Sequence, residues 1–239
     1  MLQQEFSEMF GGAERDLAMQ RALPILMRKV YLWMTLALAI TGITAYGVAH
    51  SYTLLSLIYG SSIGIWVLII ATLALVVAIS SAIDRLSLSA ATLLFALYSL
   101  LNGAMLSSIF LAYSSTIITQ TFLVTAGTFA AMAFIGYTTK TDLTSVGKLL
   151  LMALIGIIIA SVVNIFVGSS TLDMIICYVG VLLFVGLTAY DSQKIKRMLA
   201  ERDDVGEVSQ KIALLGALSL YLDFINLFLY LLRIFGRRN

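Results

Sequence analysis

Seven long apolar stretches constrain this chain more than any other feature of its sequence. Each is about 17–25 residues long, which is what an α-helix needs to cross a hydrocarbon core of about 30 Å. They lie at Val30–Ala49, Leu57–Ile79, Leu88–Ala112, Ile117–Tyr137, Val146–Val167, Met174–Tyr190 and Ile212–Ile234. The links between them are mostly short, so consecutive helices should be antiparallel neighbours. The sequence therefore predicts an all-α integral membrane protein with seven transmembrane helices.

The composition agrees with this class of protein. Of the 239 residues, 60% are hydrophobic and only 12% are charged, whereas soluble domains carry about 25% charged residues. Polarity along the chain divides it into three parts. We expect a polar cytoplasmic tail at residues 1–29, a single transmembrane domain at residues 30–235 and a short basic tail at residues 236–239.

The basic residues predict the orientation of the helices. With the N-terminus inside, twelve of the 15 Lys and Arg residues lie on the cytoplasmic side, including five in the link between the sixth and seventh stretches. Cytoplasmic loops are enriched in Lys and Arg, so we expect a cytoplasmic N-terminus. Arg233, Arg237 and Arg238 oppose this rule if the seventh stretch spans. They would agree with it if that stretch were re-entrant. Because the stretch is long enough to cross, we expect seven spans.

Two aspartates distinguish the last two stretches. Asp191 closes the sixth stretch and Asp223 lies inside the seventh, whereas the other 11 of the 13 acidic residues fall in tails, loops or helix ends. A carboxylate at membrane depth is costly, by about 2.5–3.5 kcal/mol on the lowest scales, and commonly marks a functional site. A structural role, in which each aspartate hydrogen-bonds a neighbouring helix, is the alternative. The predicted helix ends place Asp223 about 16 Å deeper than Asp191.

If the two aspartates meet, they form a site that binds either a proton or a cation. Like charges a few ångströms apart cannot both ionise cheaply, so such a pair titrates as a unit. One shared proton would join the helices by a hydrogen bond, and loss of that proton would leave an anionic site for a hard cation such as calcium. Calcium takes 6–8 oxygen ligands. Ser219 and Asn226, on the helix face of Asp223, are the expected supporting ligands.

Other chemistries find little support in the sequence. The single Cys and single His exclude an internal disulfide and an HExxH zinc site. No phosphate-binding glycine motif is present, and neither a nucleic-acid partner nor a resident cofactor is expected. Tyr190–Asp191 matches the YD motif of intramembrane aspartyl proteases, but Leu220–Asp223 lacks the glycines of their second motif, GxGD. We therefore expect that the protein is not an enzyme.

The residues around the two aspartates resemble a known family. GLTAYDSQKIKRM (Gly186–Met198) and GALSLYLDFINLFLYLLRIFGRR (Gly216–Arg238) are similar to the paired C-terminal signatures of the Bax inhibitor-1 family, especially its bacterial inner-membrane members. The resemblance implies a seven-helix bundle with the seventh helix at its centre. It also implies a pH-sensitive calcium leak in which Asp191 and Asp223 share a proton when closed. Arg85 is the basic residue that would act as the family's latch on the acids.

The same resemblance supplies a rival function. Some bacterial members are linked to the control of a membrane-bound ATP-dependent protease, so a regulatory or interaction protein is the alternative to an ion pathway. The expected partners are thus the lipid bilayer, calcium as a transported ion and, on the alternative reading, a membrane-bound protease.

Overall fold

The computed structural model describes residues 2–237, without the side chains of residues 2–13, 15, 16 and 62. Within that range the chain is helical and has no β-strand. The helices are α1 (Leu2–Ala49), α2 (Tyr52–Tyr59), α3 (Ser62–Ala82), α4 (Leu88–Leu106), α5 (Ile109–Ala112), α6 (Ser115–Thr138), α7 (Thr144–Val167), α8 (Ser170–Ala200) and α9 (Glu207–Gly236). Seven spans, with α4 and α5 forming one of them, are long and apolar enough to cross a membrane. The predicted seven-helix membrane bundle is confirmed.

Serine residues start most of the helices. The side chains of five of them accept a hydrogen bond from the backbone N–H three residues later, which satisfies a donor that the first turn leaves free. These N-caps are Ser51, Ser61, Ser87, Ser114 and Ser169. Ser61 and the preceding Gly60 separate α2 from α3, so the second apolar stretch is interrupted where a single helix from Leu57 was predicted. Gly168 ends α7 in the left-handed conformation, with φ of 66°.

Helix α1 continues across the expected boundary between tail and membrane domain at residue 30. It contains Pro24, the only proline of the chain. Ala22, Leu26 and Met27 are buried against the bundle. The residues just before 30 therefore belong to the packed core, because apolar side chains at helical spacing continue the buried face of α1 towards the N-terminus.

Helix α9 is the centre of the bundle, as the resemblance implied. In its apolar stretch 67% of the residues are buried, against 6% for α7. Helix α9 packs on α1, α4, α6 and α8, whereas α3 packs mainly on α4, and α7 on α8. The other helices thus form two layers, and α3 and α7 lie in the outer one, facing lipid.

A chain of buried hydrogen bonds joins α9 to α1 and α4. The Tyr221 side chain is fully buried, and its hydroxyl accepts a hydrogen bond from the Asn102 amide over 2.7 Å. Thr41 lies 2.7 Å from the same hydroxyl and donates to the Ser99 carbonyl, so Tyr221 donates to Thr41. The Tyr221, Thr41 and Asn102 side chains in this series of hydrogen bonds each have a partner. Such satisfied polar contacts between helices suit a membrane interior.

The end of α9 accounts for the basic residues that opposed the orientation rule. Helix α9 is continuous to Gly236, so the seventh stretch forms a span and no re-entrant element. Arg237 forms an ion pair with Asp173 at the start of α8, and Arg233 lies 4.0 Å from the same carboxylate. Two of the three arginines are therefore partly neutralised by an acid of the neighbouring helix. Arg238 lies outside the described residues.

Candidate functional site

The two aspartates lie on the pair of antiparallel helices, α8 and α9, that pack together along much of their length. Helix α8 does not end near Asp191, as the sequence suggested, but continues to Ala200. Asp191 therefore lies about two and a half turns inside the helix. The polar residues after Asp191 stay helical because Ser192, Gln193, Ile195 and Leu199 are buried against the bundle.

This extension reduces the difference in depth between the two acids. The Ile195 side chain of α8 packs against Gly216 of α9, which places Asp191, four residues before Ile195, level with Leu220. Asp223 lies three residues beyond Leu220, so the offset along the helices is about 5 Å at 1.5 Å per residue, less than the 16 Å expected from the sequence. The two acids therefore lie at similar depths along the α8–α9 contact.

Asp191 borders a cavity of about 150 Å³ between α8 and the first half of α9. Ser219 of α9 borders this cavity as well. Lys194, one helical turn beyond Asp191, lines the same cavity. At about 30 Å³ per water molecule, this cavity has room for a few waters, so the Asp191 carboxylate has access to solvent.

Asp223 lies in a drier environment. Its side chain is 5% exposed, and its Oδ2 atom is buried without a hydrogen-bond partner among the described residues. Ser219 lies one turn earlier on the same helix face and borders the Asp191 cavity. A buried polar atom without a partner costs about 1–3 kcal/mol, and more when it is charged, so Asp223 is an expensive residue for the fold to keep.

Three polar contacts fix the part of α8 that carries Asp191. Ser192 donates to the Ala133 carbonyl of α6 over 2.8 Å and lies 3.3 Å from the Tyr31 hydroxyl of α1. The Gln193 amide donates to the Thr141 carbonyl over 2.8 Å. Sequence reasoning missed these roles. The run Asp191–Ser192–Gln193 after an apolar stretch was a signal for them, since polar residues in succession on a helix contact several neighbours.

Glycine lets α6 approach α8 beside the site. A Cβ atom at Gly136 would overlap the backbone carbonyl of Ala189, whereas Gly127, earlier on α6, has open space around it. The close approach brings the α6 backbone to within hydrogen-bonding distance of Ser192. The Asp191 segment is therefore held against α6 by backbone contact as well as by its side chains.

Two of the expected site residues do not meet the aspartates. Arg85 is exposed in the turn between α3 and α4, and no hydrogen bond or ion pair within the described part of the chain joins it to either acid. The reason is that α3 packs on α4 in the outer layer, away from α8. Asn226 donates to the Leu222 carbonyl of its own helix. Of the two expected supporting ligands, Ser219 lines the Asp191 cavity and Asn226 does not.

Comparison with known proteins agrees with this architecture. Residues 23–239 match the model of a family described as "Inhibitor of apoptosis-promoting Bax1". The inner membrane protein YbhL of Escherichia coli K12 is 51% identical over 215 residues, covering 89% of this chain and 92% of that protein. A protein of Borreliella burgdorferi is 47% identical, with coverages of 89% and 92%, and protein RP147 of Rickettsia prowazekii is 41% identical, with 89% of each chain covered. The resemblance seen in the sequence is confirmed, and the chain belongs to the Bax inhibitor-1 family.

Proposed function

We propose that this protein is a pH-sensitive calcium leak pathway and not an enzyme, with Asp191 and Asp223 as its proton- and ion-binding pair. One observation carries the proposal: two carboxyl groups share the α8–α9 contact in unequal surroundings. Asp223 keeps a buried oxygen without a partner, while Asp191 borders a cavity that holds water-sized molecules. This arrangement costs stability and needs a function to explain it.

The proposed mechanism has two states. In the closed state one proton is shared between the acids, and the hydrogen bond joins α8 to α9. In the open state both acids are ionised and repel each other, which loosens the contact and leaves an anionic site. Like charges at short range cannot both ionise cheaply, so protons and calcium compete for this site. Calcium flux should therefore increase as the pH rises.

Calcium is the transported substrate in this proposal. Two carboxylates provide at most four of the 6–8 oxygen ligands that calcium takes, and the described residues hold no group of three or more His, Cys, Asp or Glu side chains. Ser219 and water in the 150 Å³ cavity would supply other ligands. So incomplete a ligand set favours transient binding, which suits a leak better than storage.

Lys194 takes the role of counter-charge that the resemblance gave to Arg85. It lies at i+3 from Asp191 and lines the same cavity. Besides Asp191, Lys194 is the one titratable residue among the described residues that lines this cavity. An entering cation has to displace this ammonium group, so Lys194 should oppose ion entry.

Localisation and orientation follow the same line of argument. YbhL of Escherichia coli is named an inner membrane protein, and we place this chain in the same membrane with its N-terminus in the cytoplasm. The basic residues in the first part of α1, after the end of α6, at the end of α8 and at the start of α9 then face the cytoplasm. This is the orientation that the distribution of Lys and Arg favours. The Asp191 cavity opens towards that side.

Calcium flux into liposomes containing the purified protein tests the proposal. Wild-type flux should increase as the pH of the assay is raised from about 6 to 8, because loss of the shared proton leaves the anionic site. Asp223→Asn and Asp191→Asn should each lower the flux and flatten its pH dependence, because neither variant can form the doubly charged site. Asp84→Asn, the same change at an exposed position, is the matched control. If both site variants kept the wild-type profile, the assignment of the pair would be wrong.

A second pair of variants tests the counter-charge. Lys194→Gln should raise calcium flux at a given pH because it removes the ammonium group from the cavity, whereas Arg85→Gln should leave the flux unchanged. If Arg85→Gln raised the flux and Lys194→Gln did not, Arg85 would be the counter-charge. The assignment of the aspartates would be unaffected.

The alternative function, regulation of a membrane-bound ATP-dependent protease, makes a different prediction. Deleting residues 1–16 should then abolish co-purification with the protease while leaving calcium flux intact. A longer deletion is unsuitable, because Ala22, Leu26 and Met27 are part of the buried core. Loss of flux in the site variants together with normal behaviour of the deletion would favour the ion pathway.

A further inference from the structure

A lateral groove separates α1 from α6. Both helices pack on α8 and α9 but hardly touch each other. Two cavities, of about 620 and 280 Å³, fill the gap and share the lining residues Leu38, Phe122 and Phe224. The floor of the groove is the central helix, through Phe224, Ile225 and Phe228.

The groove is about as long as the membrane is thick. Along α1 its lining extends from Pro24 to Ala45, which is about 32 Å at 1.5 Å per residue and close to the hydrocarbon thickness of about 30 Å. Large apolar side chains beside it, such as Leu36 at 51% and Phe134 at 67% exposure, face outwards. The groove therefore opens sideways, towards the acyl chains of the bilayer.

The two ends of the groove differ in polarity. At the end near Pro24 the lining includes Arg28 and Tyr137. Tyr31 and Thr35 also line this end, but their hydroxyls donate to Ser192 and to the Tyr31 carbonyl. At the other end it is almost wholly apolar, with Ala45, Ile109 and Phe110 among its residues. Arg28 is the one charged residue that lines either cavity within the described part of the chain, and it is exposed.

A second cation lies beside the polar end. The Lys196 ammonium group donates to the Tyr137 carbonyl over 2.7 Å and lies 4.7 Å from the centre of the Tyr137 ring. The acid nearest to Tyr137 along the chain is Asp142, and it forms an ion pair with Arg197 at 2.8 Å. The polar end of the groove thus carries positive charge, without a carboxylate among its lining residues.

We propose that this groove binds a phospholipid with an anionic headgroup. Its acyl chain lies between α1 and α6 against Phe224, and its phosphate is held at Arg28 beside Tyr137. Basic pockets between membrane helices on the cytoplasmic side bind anionic headgroups, and a volume of 620 Å³ is within the usual range of about 300–1,000 Å³ for ligand sites. A polar, cationic end joined to a long apolar end matches a lipid. A transmembrane helix of a partner, or of a second copy, would meet an unmatched charge at Arg28.

Native mass spectrometry of the purified protein tests this site. The probes are phosphatidylglycerol and phosphatidylcholine with identical acyl chains. The wild-type protein should retain phosphatidylglycerol in preference. Arg28→Gln should reduce that preference about fivefold, the equivalent of about 1 kcal/mol for one basic residue near the headgroups. Arg21→Gln removes the same charge from an exposed position of α1 outside the groove and should keep the preference.

Ala130→Trp tests the apolar part, because Ala130 lines the larger cavity and a tryptophan there would fill it. This variant should lose retention of both lipids, and its melting temperature shows whether it has folded. A photo-crosslinking residue at position 130 identifies the occupant directly. A lipid adduct supports the proposal, and a protein adduct would overturn it in favour of a helix–helix interface. Unchanged lipid preference in Arg28→Gln would overturn it as well.

Discussion

Helix α9 buries two polar side chains two residues apart, and their surroundings differ. The Tyr221 hydroxyl is fully buried and has partners on α1 and α4. Asp223 is almost as deeply buried, yet one of its carboxyl oxygens has no partner. The Tyr221 side chain faces α1 and α4, and Asp223, two residues further along the chain, lies on a different face of α9.

The difference is between a satisfied and an unsatisfied buried polar group. A satisfied hydrogen bond in a membrane interior fixes helix positions at little cost. An unsatisfied carboxyl group weakens the fold, by about 1–3 kcal/mol or more, and stabilises nothing in return. Helix α9 is therefore firmly attached on the Tyr221 side, while its contact with α8 contains an element that can change with protonation.

The largest effect on stability should come from Tyr221→Phe. Loss of the hydroxyl leaves the buried Thr41 and Asn102 groups short of a partner, so we expect the free energy of unfolding to fall by about 1–3 kcal/mol. Calcium flux per folded molecule should stay unchanged. Chemical unfolding in detergent micelles measures the loss, with Tyr52→Phe as the control, since Tyr52 is 87% exposed. A large loss of flux without a loss of stability would remove the distinction between the two sides of α9.

Asp223→Leu should have a smaller effect on stability and of the opposite sign. It removes the unsatisfied oxygen and adds apolar surface, so we expect unfolding to cost about 1 kcal/mol more than in the wild type, while pH-dependent flux is lost. Asp173→Leu is the matched control. It breaks the ion pair with Arg237 and should not stabilise the protein. If Asp223→Leu destabilised it as strongly as Tyr221→Phe, Asp223 would have a structural role.

The smallest effect concerns Asp142, an exposed acid with several partners. Hydrogen bonds from the Thr144 hydroxyl and backbone N–H, followed by the Arg197 guanidinium, lower the pKa of Asp142 to about 2. Because the folded pKa lies below the unfolded one, this contribution to stability is complete above about pH 4. It is lost as the pH falls through about 2.

Acid unfolding of the wild type and Asp142→Asn measures that contribution. The variant should show a flatter dependence of stability on pH between about pH 4 and 2, with Asp84→Asn as the control. Equal acid dependence in the wild type and Asp142→Asn would show that the carboxylate contributes nothing to stability, and the contrast between exposed and buried acids would then rest on Asp191 and Asp223 alone.

Much of the fold and part of the site were predictable from single residues and their spacing. The seven spans followed from the lengths of the apolar stretches, and Asp191 and Asp223 followed from their depth. Ser219 was found because it lies one turn from Asp223. Arg85 and Asn226 were expected at the site and do not reach it, since spacing along a helix does not show which neighbour a side chain faces. Lys194 was expected to mark the membrane interface and not to line the site, because the sixth stretch was predicted to close at Asp191.

The sequence by itself determined the membrane class, the number of spans and the identity of the deep acids, because hydrophobic length and the cost of burying charge depend on composition alone. Only the tertiary structure decided which helix faces meet. In the folded protein α8 continues beyond Asp191, and Tyr221 has hydrogen-bond partners whereas one oxygen of Asp223 has none within the described part of the chain. A gap also separates α1 from α6. These outcomes depend on side chains far apart in the chain that pack against one central helix, and no local pattern records that packing.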